Sequence, residues 1–150
     1  MLQLENDNLV TALVDALEQM AFVSALPPEG EPATPLRPLL LRISFRGPVC
    51  QRFELIADEE LGSLMAANIF GAESAEARFR ARDALKELLN VTCGLVLSRW
   101  PALEDRNFEM SIPEVVPLDA AGWQELLAEG GFTLLDAEGH LVAIRLADRK

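Results

Sequence analysis

Histidine and cysteine are scarce in this chain, which has one histidine, His140, and two cysteines, Cys50 and Cys93. A structural zinc site draws its four ligands mainly from those two residue types, often as Cys-x-x-Cys pairs, and no such pair occurs. No metal site is expected, although a carboxylate-only site without EF-hand spacing stays open. The cysteines lie far apart inside apolar patterns. They could bridge, but they read as reduced core thiols of a cytosolic protein. Basic residues are few: Lys and Arg number 13 against 24 Asp and Glu, for a net charge of −11. A surface that acidic repels phosphate backbones and anionic lipid, so neither nucleic acid nor membrane is an expected partner. No stretch approaches the roughly 20 apolar residues of a membrane helix. The opening Met1-Leu2-Gln3-Leu4-Glu5 lacks the basic and apolar regions of a signal peptide, so a cytoplasmic location is expected. Two familiar catalytic vocabularies are also missing, the Gly-x-Ser-x-Gly elbow and the phosphate-cradling Gly-rich loop. One histidine leaves little for acid–base schemes, and His140, following Gly139, reads as an exposed turn residue.

What is present suits one folded domain over residues 1–150, since half of the residues are hydrophobic. Val10, Leu13, Val14, Leu17, Met20 and Ala21 predict a first helix over about 6–25. A Pro-rich surface connection follows, from Pro27 to Pro38. Leu41, Ile43 and Phe45 alternate with polar residues, Arg46-Gly47-Pro48 turns the chain, and Val49 to Leu55 alternate again, which predicts a hairpin. Asp58 can cap the next helix, and Gly71 ends it. A long helix is expected from Ser74 to Arg99, stopped by Pro101. Phe108 to Ile112 predict a strand ended by Pro113, and Asp119 to Glu129 a short helix. Phe132–Asp136 and Leu141–Leu146 predict a last hairpin around Ala137-Glu138-Gly139. The order implies an α/β domain of the α+β kind, a largely antiparallel sheet packed with helices that include one long one.

That long helix carries the most informative residues. At about 100° per residue, Asp83, Glu87, Asn90 and Gly94 fall within an arc of about 60° and span about 16 Å of axis. Leu85, Leu88, Thr92 and Leu95 point the other way, toward the sheet. A carboxylate and a carboxamide one turn apart can hold a cation at Glu87 beside a water at Asn90. Gly94 removes a side chain where another backbone could approach. Read alone, such a polar stripe is more often a plain solvated helix face, and Gly94 is its one unexpected member. Arg80 and Lys86 flank the stripe, either as intrahelical partners of Glu76 and Asp83 or as aids to docking an acidic protein.

The wider pattern Asp83-x-x-x-Glu87-x-x-Asn90, followed after the 22 residues 91–112 by Pro113, resembles the signature of the CheC/CheX/FliY family of chemotaxis phosphatases. Asn90-x-x-x-Gly94 is similar to the CheX-like members, although these often carry Asn directly after that glycine, where this chain has Leu95. Ala16-Leu17-Glu18-Gln19-Met20-Ala21-Phe22 resembles the family's first helix, and the element order agrees over nearly the whole chain. The resemblance implies a CheC/CheX-like two-layer fold and a phosphatase acting on the phospho-aspartate of a CheY-type receiver domain, in chemotaxis or two-component signalling. It implies that Glu87 and Asn90 are catalytic, Asn90 orienting the attacking water and Glu87 pairing with the receiver's lysine. Asp83, Gly94, Lys86 and Pro113 would support the site or contact the partner. The receiver would supply Mg²⁺, so this chain would need no cofactor of its own. CheC-like relatives can carry a second motif on the first helix, but here Glu18 is followed three residues later by Ala21, so a single site is implied. A homodimer is also implied, joined through strands. The rival expectation is a non-catalytic receiver-binding or homodimeric scaffold with the same fold.

Overall fold

A computed structural model of the chain describes residues 6–47, 50–71, 73–99 and 108–148. Helix α1 (Asn6–Ala21) buries Leu9, Ala12, Leu13, Ala16, Leu17 and Ala21, an apolar stripe at helical spacing. It stops four residues before the expected end, because Phe22 turns left-handed at φ 57°. There the Phe22 amide donates to the Glu18 carbonyl at 3.1 Å and the Val23 amide to that of Leu17 at 3.2 Å, satisfying carbonyls of the last turn.

The strands are β1 (Ala25–Leu26), β2 (Pro38–Arg46), β3 (Cys50–Asp58), β4 (Glu109–Met110), β5 (Glu114–Pro117), β6 (Thr133–Ala137) and β7 (His140–Asp148). They form one sheet in the order β1-β6-β7-β3-β2-β4, with β5 also pairing β2, and every pairing is antiparallel. The strand expected over 108–112 does not end at Pro113 but resumes beyond it. Met110 lies opposite Phe45 and Glu114 opposite Arg42, so four steps along this edge match three along β2. Pro113 sits in that bulge, where its missing N–H removes no ladder bond. At the last hairpin, Glu138 (φ 51°) and Gly139 (φ 93°) make a two-residue turn of mirror-image type. His140 is the first residue of β7 and half-buried, not the exposed turn residue expected.

Helix α2 (Glu59–Phe70) starts at Asp58, whose carboxylate accepts from the Glu60 amide at 3.1 Å. The same carboxylate accepts from the amides of Leu36 and Arg37, tying the Pro-rich connection to the helix start. The expected long helix is two: α3 (Ser74–Phe79) and α4 (Ala81–Arg99), parted at Arg80. At that break the Ala81 backbone comes against α2 so closely that a Cβ at Gly62 would collide with the Ala81 carbonyl. The Pro101 stop expected for this helix lies outside the described residues.

Alternation along the strands gives the sheet two unlike faces. Leu39, Leu41, Ile43, Phe45, Phe53, Leu55, Val142 and Ile144 form the main core with α1, α2 and α4. On the reverse face, Leu40, Ile56 and Ala143 pack beneath Leu126 and Leu127 of α5 (Ala120–Ala128). The main core is thus the expected two layers, with α5 covering part of the other side. Cross-strand register also lines up Arg42, Glu54 and Arg145 on that reverse face. Glu54 is fully buried, and its carboxylate takes hydrogen bonds from Arg42 at 2.8 Å and Arg145 at 2.9 Å, with Arg52 at 3.6 Å.

Burial opposes ionisation of Glu54, but the hydrogen bonds from Arg42 and Arg145 outweigh it and hold its pKa below the ordinary 4.5. Replacing it would leave three guanidinium groups facing one another. Glu54→Ala is therefore expected to cost about 3–5 kcal/mol in denaturant unfolding. A carboxyl whose folded-state pKa is depressed contributes fully above its unfolded value and loses that contribution as pH falls through the folded one. The stability gap between wild type and Glu54→Ala should accordingly narrow below about pH 4.5.

Candidate functional site on helix α4

Helix α4 is positioned by what it buries. Ala81, Ala84, Leu85, Leu88, Leu89, Thr92, Cys93 and Val96 all face the interior, and the Thr92 hydroxyl donates to the Leu88 carbonyl at 2.7 Å. Leu95 is half-buried beside them. At its far end Arg99 pairs with Asp15 of α1 at 2.7 Å, holding the two helices side by side. With that seam closed, the opposite arc must face outward.

Asp83 and Glu87 are exposed, and Asn90 and Gly94 are half-buried. Neither the Glu87 carboxylate nor the Asn90 carboxamide makes a hydrogen bond or ion pair with another described residue. Both are carried on a rigid helix with their polar atoms available, an arrangement suited to capturing a cation and a water. A Cβ built on Gly94 meets nothing within 4 Å, so no neighbouring backbone among the described residues requires the glycine. It leaves a gap open to something outside. Pro113 is not on the stripe; it occupies the bulge between β4 and β5.

Of the flanking cations, Arg80 pairs with Glu76 at 3.5 Å and lies 4.4 Å from the centre of the Phe70 ring. Lys86 is half-buried and has no ion-pair partner among the described residues. Phe79, four residues before Asp83, extends the outward arc and is 86% exposed. That residue was missed by reading the polar members alone, though its spacing of four was visible.

Other chemistry is thin. Cys93 is a free buried thiol whose pKa burial pushes up to about 12, which rules it out as a ready nucleophile. Among the described residues no cluster of three His, Cys, Asp or Glu could hold a metal, and no helix is long and apolar enough to cross a membrane. A cleft of about 520 Å³ opens between Thr34–Leu39, Arg82 and Trp123, but neither Glu87 nor Asn90 lines it. Its charged groups include the mutually paired Arg82 and Glu59, 2.7 Å apart. The Glu87/Asn90 face is a helix surface, which fits a protein partner better than a small molecule.

A family model described as chemotaxis phosphatase CheX matches residues 40–132, more than half of the chain and inclusive of Glu87, Asn90 and Pro113. Among solved structures, the CheX–CheY–BeF₃–Mg²⁺ complex of Borrelia burgdorferi is similar with a TM-score of 0.69 and 13% identity, covering 100% of both chains. Chemotaxis protein CheX of Vibrio vulnificus is similar with a TM-score of 0.66 and 17% identity over 95% of each chain. FliY of Thermotoga maritima gives a TM-score of 0.59 and 12% identity over 93% of this chain and 84% of its own. No curated protein sequence matches.

Two helical glycines should respond in opposite directions to alanine. Gly94→Ala fills open space and should stabilise α4 by about 0.5–1 kcal/mol. Gly62→Ala drives a methyl into the Ala81 carbonyl and should destabilise by about 1–3 kcal/mol. Thermal melts of the two variants compare them directly.

Proposed function

The chain belongs to the CheX family, and we propose that it is a cytoplasmic phosphatase acting on the phospho-aspartate of a CheY-type receiver domain. The observation that carries this reading is the outward Glu87/Asn90 pair, whose polar atoms engage no other described residue, on a helix whose opposite face is buried in the core. Asn90 orients a water in line with the phosphorus, the role an amide plays in other phosphoryl-transfer sites. The water oxygen forms its bond to phosphorus as the acyl-phosphate P–O bond breaks. The aspartate leaves as a carboxylate, and the water's protons pass to inorganic phosphate and solvent. Glu87 pairs with the receiver's lysine and sets the docking register, while Asp83 and Lys86 border the contact. Mg²⁺ belongs to the receiver, which would hold it beside the phosphoryl group and neutralise charge there. With a water as nucleophile and the metal held by the receiver, this reading asks neither of this chain. The alternative is a receiver-binding scaffold of the same fold without turnover.

The two readings separate on phosphate release from phosphorylated receivers. Asn90→Ala should lower the accelerated rate roughly 10²-fold or more while circular dichroism and melting stay native. Glu87→Ala should raise KM at least as clearly as it lowers kcat, since its pairing acts in docking. Leu88→Ala, in contrast, opens a cavity and should cost about 2–5 kcal/mol of stability. Wild-type release from Asn90→Ala would refute the catalytic assignment, and no release by the wild type from any receiver would favour the scaffold.

The chain is also proposed to form a homodimer through sheet edges. The split β4/β5 edge bears exposed Met110, Ile112 and Val116, apolar groups beside an incompletely paired strand. Light scattering at micromolar concentration should give twice the chain mass, and a monomer mass would end this proposal.

A further inference from the structure

Among the described residues, Phe79 has the highest fractional exposure of any large hydrophobic residue, at 86%. It is the last residue of α3, directly before the break at Arg80. The Arg80 amide donates to the Glu76 carbonyl and the Ala84 amide to the Arg80 carbonyl, both at 3.0 Å. Ala77 of α3 is buried in line with Ala81 and Ala84 of α4, so the buried face runs through the break and Phe79 lies on the outward side with Asp83 and Glu87, about 12 Å from Glu87 at the helical rise per residue. Beside it the Arg80 guanidinium, 41% exposed, lies over the half-exposed Phe70 ring. The stripe thus begins with an aromatic and a cation and continues as acid, acid and amide.

We infer that Phe79 is the apolar anchor with which this chain grips the receiver domain, Arg80 serving as its charged neighbour; the inference rests on the phosphatase reading above. Three features favour the receiver as occupant. A protein interface of ordinary size covers about 800 Å² on each side, a disc of about 16 Å radius, so a partner centred near Glu87 reaches Phe79. Interfaces draw much of their affinity from a few aromatic and arginine residues, the two types found here. The carboxylates that would hold the receiver's Mg²⁺ favour a cation on the approaching protein, and Arg80, in a surface pair with Glu76 at 3.5 Å, offers one on a chain of net charge −11. Asn90 then acts on the bound phosphoryl group, while Phe79 positions the receiver without touching the reacting atoms.

The test measures binding of beryllofluoride- and Mg²⁺-activated receivers from the same genome to the full chain, alongside phosphate-release kinetics. Phe79→Ser should weaken Kd and raise KM about tenfold or more with kcat within about twofold. Phe79→Leu should restore most of the affinity, and Leu36→Ser, a comparably exposed residue away from the stripe, should leave both constants unchanged. Because Phe79 is exposed, melting temperatures should not move. Unchanged affinity in Phe79→Ser overturns the anchor, as does an altered dimer mass with unaltered receiver affinity, which assigns Phe79 to a second copy of the chain. Loss of affinity in Phe79→Ser with a wild type that releases no phosphate sustains the anchor and rejects the phosphatase. A wild type that binds no activated receiver overturns both.

Discussion

The seam between α4 and the sheet is the contact on which the remaining structure depends. A helix turns 3.6 residues per revolution, so burying Leu85, Leu88, Leu89, Thr92, Cys93 and Val96 leaves no freedom over what faces out. Asp83, Glu87, Asn90 and Gly94 are presented by default, and their spacing is as rigid as the core behind them. Tight packing at Gly62 and Ala81 and the Arg99–Asp15 pair then set the helix against α2 and α1. A site assembled from loops would have needed its own ordering; this one inherits order from the apolar half of the same helix.

The sheet beneath solves a different problem. Its helix-facing side is apolar across its centre, but its reverse side is only partly covered by α5, and across the central strands it carries Arg42, Glu54 and Arg145 in register. A one-residue slip of β3 would turn Glu54 into the apolar core and Phe53 onto the arginines, so the ionic row opposes mispairing along with the hydrophobic face. Such a row need not add net stability over an apolar equivalent, since desolvation offsets attraction. Its effect lies in uniqueness of register, which fixes where α4 sits.

Much of this was legible in the residues and some was not. Period-two alternation disclosed both hairpins, and helical spacing disclosed the outward arc of α4 and its buried opposite. Capping by Asp58 was readable because its chemistry is local. What escaped depends on contacts distant in sequence. The break at Arg80 reflects the approach of Ala81 to Gly62, nineteen positions earlier, and no local residue announces it. Strand β5 follows a proline that reads as a stop, yet the bulge places Pro113 where the ladder asks for no donor. Strand β1 is two residues long and exists only because β6 lies beside it. Helix α1 ends on Phe22 in a backbone region that bulky residues rarely adopt, so its end lacked the usual glycine signal. For the site, the polar members were found from spacing, whereas Phe79 shares that spacing but lies outside the polar pattern.

The economy of the site also bears on its specificity. On the reading proposed above, the attacking water, the metal and the phosphorylated carboxylate all come from outside the chain or from the receiver, and this protein adds one amide and one acid. Among the described residues neither has a partner, and what they can do depends on what is brought to them. A group so ordinary would position water over any acyl phosphate that reached it. Discrimination must therefore reside in whatever decides which protein surface can approach α4 closely and in register. The open space at Gly94, the charge pattern from Arg80 through Asp83 and Glu87, and the shape of the surrounding helix surface carry that burden. Rate and selectivity are thus separable here, the first concentrated at Asn90 and the second spread along the outward arc of the helix.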